Sequence, residues 1–217
     1  SEAVAVGWLG LLALYAGDFA TAKVHYETAL TLAEASGDQS ERLNAHNMLA
    51  IVLRNQGAYQ RAHELLDASI AGYRAFTRRF NLATALRVRG GLLSDAGTFP
   101  AAREVLAESL ALCEEVDDRM VALAVYYDLG GLACRQGDYA LAEHDLRRSL
   151  DLMRETGRFD ILPYVQSLLG RTLWHRGDPA GALQLLRQCL HHCHTRNLAF
   201  NRLECLEGLA LVAAGQG

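Results

Sequence analysis

Five glycines, Gly17, Gly57, Gly97, Gly137 and Gly177, stand 40 residues apart with no insertion between them. Each opens a segment that reads nearly alike, from "GDFATAKVHYETALTLAEASG" at Gly17 to "GDYALAEHDLRRSLDLMRETG" at Gly137. Self-similarity at a fixed period marks a stacked array of small units, none of which buries its apolar face alone. A register that fits one interface must fit the next, so the spacing admits no drift.

Within each period the hydrophobic pattern is helical. Ala22, Tyr26, Ala29, Leu30 and Ala33 recur at spacings of three and four, which buries one face of a helix of about 18 residues. A stop follows at a fixed distance, at Gly37, Thr77, Asp117, Gly157 and Asn197, where a left-handed residue closes a helix. A second helix then runs to the next anchor, as in Val125, Leu129, Gly130 and Ala133. Its midpoint is always small: Gly10, Ala50, Gly90, Gly130, Gly170 and Ala210. Glycine inside a helix costs about 1 kcal/mol against alanine, so the pattern predicts close approach by a neighbouring helix. Ala22, Ala62, Ala102, Ala142 and Ala182 supply the matching small positions. Asp18, Asp138 and Asp178 sit at N-cap positions, and Pro179 and Pro163 belong near helix starts.

These residues resemble the tetratricopeptide repeat, with a small residue in the first helix, then Gly-Asp-Tyr or a variant, then alanine three residues after the aromatic. Gly137, Asp138, Tyr139 and Ala142 match best, whereas Pro179 replaces the aromatic in the last unit. Arg89 replaces an apolar position held elsewhere by Leu9, Leu49, Leu129, Leu169 and Leu209. The family period is about 34 residues with a closing proline; the 40-residue period here, without that proline, is similar to the long-helix subgroup. The resemblance implies an all-α, right-handed superhelical solenoid of antiparallel helix hairpins. It divides into an inner helix of a partial repeat at 1–16 and units at 17–56, 57–96, 97–136, 137–176 and 177–216, one array over 1–217. The first inner helix is expected to dock through Leu9 and Gly10.

Composition narrows the function. A net charge of -4 lacks the basic stripe that neutralises phosphates, so direct nucleic-acid contact is not expected. No apolar run reaches the roughly 18 residues of a membrane span, and no signal-peptide pattern opens the chain, which predicts a cytoplasmic protein. Five cysteines without framework spacing fit a reducing compartment rather than a disulfide scaffold. The "CLHHCH" run at Cys189 to His194 offers metal-ligand types, but Cys189 fills the slot of Ala29, Ser69, Ser109 and Ser149, and Cys193 that of Ala33, Tyr73, Cys113 and Met153. Both read as small core residues, with His194 on a surface register, so no metal site and no cofactor are expected. The Gly-Asp-aromatic turns lack a Gly-Lys-Ser/Thr ending, and the other histidines have no recurring nucleophile or carboxylate partner. The chain reads as a non-enzyme with no catalytic residues.

The inner helices, which the family resemblance places along a concave groove, carry a mixed face. Asn44, Asn47 and Arg54, then Arg87, Tyr127, Tyr164, Arg171 and Trp174 combine amide and guanidinium donors with large aromatic anchors. These residues are the candidate binding groove for a peptide or protein partner. The face has no lysine, so it lacks the lysine-asparagine-arginine clamp that holds chaperone tails. The stretches from Glu108 to Gly157 and from Cys205 to Gly217 resemble the tetratricopeptide arrays that close LuxR-type and related bacterial signal-transduction ATPases. That resemblance implies a sensing and protein-docking arm of a transcription regulator. A stand-alone scaffold and a small-molecule effector receptor are the alternatives. Gly217 falls where a further anchor glycine would open another helix. The segment is therefore expected to belong to a longer array, with Leu206, Leu209, Ala210 and Ala213 forming an apolar end that frays or self-associates.

Overall fold

A computed structural model describes residues 1–159, 161–195, 205–210 and 213. The described residues contain ten long α-helices and no strand: α1 (Glu2–Tyr15), α2 (Phe19–Ser36), α3 (Gln39–Asn55), α4 (Tyr59–Ala75), α5 (Arg79–Asp95), α6 (Phe99–Glu115), α7 (Arg119–Arg135), α8 (Tyr139–Thr156), α9 (Leu162–His175) and α10 (Pro179–Thr195). Residues 205–210 are also helical. The chain divides into two compact units, Ser1–Val116 and Asp117–Gly217.

The turns follow from backbone chemistry. All five anchor glycines have positive φ, between 75° and 80°, a conformation that a Cβ disfavours. The residue after each anchor donates its amide to a carbonyl five residues back, as in Asp18 to Ala13 at 2.9 Å and Thr98 to Leu93 at 2.9 Å. This is the Schellman closure of a helix C-terminus. At the alternate turns Gly37 and Gly157 also have positive φ, and so do Thr77 (54°) and Asp117 (50°). The backbone there keeps the left-handed bend even where the side chain resists it. Asn197, expected to form the fifth such stop, lies outside the described residues. Each expected N-cap aspartate accepts an amide: Asp18 from Thr21, Asp138 from Leu141 and Asp178 from Gly181, at 2.9 to 3.0 Å. Pro163 and Pro179 both lie in the first turn of their helices.

The closest pairs are α1 with α2, α3 with α4, α5 with α6, α7 with α8 and α9 with α10. Each inner helix, the one before an anchor glycine, thus packs on the outer helix that follows it, and α1 packs on α2. Small residues at the helix midpoints explain the tight pairing. A Cβ built on Gly90 would stand 2.5 Å from Leu106 Cγ, and one on Gly130 would stand 2.7 Å from Leu146 Cγ. Both leucines are fully buried. Gly10 touches Tyr26 in the same way, but Leu9 is 50% exposed. The expectation that Leu9 docks α1 is thus corrected, since Ala3 and Gly10 are the buried contacts.

A second device recurs within the hairpins. Ser69 Oγ donates to the Leu43 carbonyl, Ser109 Oγ to Ala83 and Ser149 Oγ to Leu123, each across 26 residues and each at zero exposure. Cys189 Sγ takes the same place, 3.2 Å from the Pro163 carbonyl. The three serines thus bond the second half of an outer helix to the first half of the inner helix before it. Arg89, the charged residue in an apolar register, bonds Asp67 at 2.7 Å and leaves the core through its own stem. The Cys189 and Cys205 sulfurs are in disulfide contact, and Cys189 and Cys193 are fully buried, as expected of small core residues. Among the described residues near the C-terminus, Leu206, Ala210 and Ala213 are exposed and Leu209 is partly buried.

Candidate functional site

In the first unit the inner helices α1, α3 and α5 lie side by side, so residues of one register form a continuous face. An open cleft of about 390 Å³ runs between α1 and α3 on that face. Val4, Trp8 and Leu11 of α1 and Met48 of α3 line it with apolar surface; Glu41 and Asn44 of α3 add polar groups, and Tyr26 of α2 contributes from the outer layer. Gly7 leaves the space that Glu41 occupies, because a Cβ there would meet Glu41 Oε1 at 3.3 Å. Asn44 Nδ2 donates to Glu41 Oε1 at 3.4 Å, which orients the amide along the cleft. Burial raises the Tyr26 hydroxyl to a pKa of about 12, so it is neutral and able to donate throughout the ordinary pH range.

The four residues expected from the sequence in this unit are placed differently. Asn44 lines the cleft. Asn47 is only 2% exposed, and its Oδ1 meets no donor among the described residues, so the amide sits beneath the face rather than on it. Arg54 reaches across to α5, where its Nε donates to Asp95 Oδ2 at 2.7 Å. Its guanidinium packs against Gly91, where a Cβ would collide with it. Arg54 is therefore a brace between two inner helices. Arg87 is half-buried on α5.

In the second unit α7 and α9 form the inner layer. Tyr127, Tyr164 and Trp174 are half-buried and Arg171 is exposed. Cys134 Sγ lies 3.2 Å from Thr172 Oγ1, tying α7 to α9 as Arg54 and Asp95 tie α3 to α5. Burial pushes the Cys134 thiol up, with the Thr172 hydrogen bond opposing it, so it is a packing thiol and not a poised nucleophile. Arg171 turns its stem toward the following helical stretch, with its Cγ 3.5 Å from the place of a Cβ on Gly208.

Trp8, Glu41 and Met48 were not among the residues singled out from sequence. Trp8 is 62% exposed, although tryptophan on an inner helix would ordinarily be a packing residue. The register gave no sign of it, because Trp8 shares its position with Met48, Val88, Asp128, Leu168 and Gly208, of which only Asp128 is charged. Among the described residues, no helix is long and apolar enough to cross a membrane.

The tetratricopeptide repeat family model matches residues 1–75, 81–155 and 122–193. No curated protein matches the chain. The Rap protein solved in complex with Competence and Sporulation Factor superposes with a TM-score of 0.81 at 15% identity, over 96% of this chain and 64% of that one. This chain thus spans less than two thirds of the Rap chain. TTC0263, a thermophilic TPR protein of Thermus thermophilus, gives 0.68 at 19% identity over 96% and 99% of the two chains. BtubC from P. vanneervenii gives 0.69 at 19% over 89% and 80%. At such identities the likeness establishes the fold alone.

Proposed function

Because the chain belongs to the tetratricopeptide repeat family, we propose that segment 1–217 works as one docking array that binds a peptide or protein segment along its inner-helix faces. The observation that carries this reading is the α1–α3 cleft: an apolar wall ending in the exposed indole of Trp8, opposite the paired Glu41 carboxylate and Asn44 amide. A large anchor beside a few oriented polar groups is the make-up of an interface hot spot. The cleft is open along its length, whereas small-molecule sites enclose most of their ligand. That favours a chain segment over the alternative of a small effector. On this reading Tyr127, Tyr164, Arg171 and Trp174 serve the partner in the second unit.

The finer assignment is a regulatory arm of a bacterial signalling or transcription-regulating ATPase, and it rests on the style of the repeats. An upstream Gly-Lys-Ser/Thr phosphate loop in the full reading frame supports it; a reading frame encoding only repeats supports the stand-alone scaffold.

The chain has two tryptophans, Trp8 and Trp174, one in each unit. A peptide selected from a random phage library against the intact chain should shift the emission of Trp8 to the blue as it buries the indole. Trp8→Ala should weaken that peptide by about 2 kcal/mol, roughly thirtyfold. Unchanged affinity in Trp8→Ala, Asn44→Ala and Arg171→Ala, with helicity intact, places the binding surface off the inner faces.

A further inference from the structure

Three cysteine sulfurs converge at one point of the last hairpin. Cys189 and Cys193 lie one turn apart on α10, Cys205 comes from the following helical stretch, and the three Sγ atoms lie within 4.8 Å of one another at zero exposure. Leu190 packs against the cluster. Of the neighbouring histidines, His191 and His194 are exposed and His192 is half-buried.

The repeat geometry shows that this meeting belongs to the architecture. The same three registers occur as Ala29, Ala33 and Ala45, as Ser69, Tyr73 and Ala85, as Ser109, Cys113 and Val125, and as Ser149, Met153 and Val165. Every one of these residues is buried. In four repeats the trio consists of packing residues with at most one thiol, and in the last it is three thiols. Serine at the first register suffices for the structural bond to the inner helix, as Ser149 shows at 2.8 Å, so that bond alone does not require sulfur. Ordinary packing likewise does not require sulfur at the other two.

We propose that Cys189, Cys193 and Cys205 form a tris-thiolate site for a soft, thiophilic cation of low coordination number, Cu(I) being the first-row ion of that class. Thiolates select soft ions, and zinc sites take four ligands. Among the described residues no histidine or carboxylate joins the three sulfurs within ligand distance. The site works in the dithiol form, since Cys189 and Cys205 cannot ligate while bonded to each other. Binding releases the thiol protons, so uptake strengthens as pH rises. It also ties the final helical stretch to α10.

The test uses the full chain, reduced with dithiothreitol, desalted and kept anaerobic. Titration with Cu(I) should give thiolate-to-metal charge-transfer absorption that saturates at one ion per chain, with a rise in melting temperature. The array supplies its own fold-preserving variants. Cys189→Ser restores the residue of three other repeats, Cys193→Ala matches Ala33, and Cys205→Ala matches Ala45 and Ala85. Each should abolish the absorption while leaving far-ultraviolet circular dichroism unchanged, and Cys113→Ser should retain it. Absence of binding to the reduced chain overturns the assignment. So does binding that survives any one of the three variants, and so does uptake of Zn²⁺ in preference to Cu(I).

Discussion

Replacing Gly90 by alanine sets two opposed effects against each other. Alanine in a helix interior is favoured over glycine by about 1 kcal/mol. The new methyl, however, would stand 2.5 Å from Leu106 Cγ and 2.6 Å from its Cδ2, well inside van der Waals contact. Leu106 is fully buried, so its side chain has no solvent-filled space to swing into. Overpacking of a dense core costs about 1–3 kcal/mol, and the net expectation is a loss of about 1 kcal/mol. The assay is urea unfolding followed by Trp8 emission in a Trp174→Phe background, so that the signal reports the first unit. The pair Gly90→Ala and Leu106→Ala isolates the contact. Leu106→Ala alone should cost about 2–5 kcal/mol, and in that background Gly90→Ala should turn from a loss into a gain of up to about 1 kcal/mol. Ala50, which holds the same register opposite the buried Leu66, provides the control: Ala50→Gly should lose about 1 kcal/mol. A rise in stability for Gly90→Ala in the wild-type background would refute the close-approach account of these midpoints.

Thr77 holds a φ of 54°, which crowds a β-branched side chain, so Thr77→Gly should raise the urea midpoint by the equivalent of about 0.5–1 kcal/mol despite glycine's greater unfolded-state entropy. Burial lifts the Tyr26 pKa to about 12 from an ordinary value near 10. The folded chain keeps that proton while the unfolded chain loses it, so stability should fall by up to about 2 kcal/mol as pH rises from 10 to 12. Tyr26→Phe should flatten that fall in alkaline unfolding curves without cost at neutral pH, since the hydroxyl meets no partner among the described residues. Burial, helped by the nearby Arg42 charge, holds His46 below the usual imidazole value. The unfolded chain therefore takes up a proton first, and stability should decline as pH drops below about 6.5 and level off once the folded imidazole also protonates. His46→Gln should show a smaller decline over that window in thermal melts.

The period, the helix boundaries and the turns were legible in the sequence because they are set by local backbone chemistry. A glycine at positive φ, an aspartate capping the next helix and a proline in a first turn each act within a few residues, and the anchor glycine recurs every 40 residues. The small midpoints were legible too, since glycine in a helix is unfavourable without a neighbour that needs the room. The candidate surface was legible only as a register. Asn47 and Arg54 occupy face positions, yet one is covered and the other is spent on Asp95, because exposure depends on what the adjacent inner helix presents. Trp8 and Leu9 went the opposite way: apolar residues stand exposed where the pattern alone would bury them. The meeting of Cys205 with Cys189 and Cys193 also needed the fold. A sulfur cluster is a relation in space between separate helices, and sequence spacing carries it only once the packing of those helices is known.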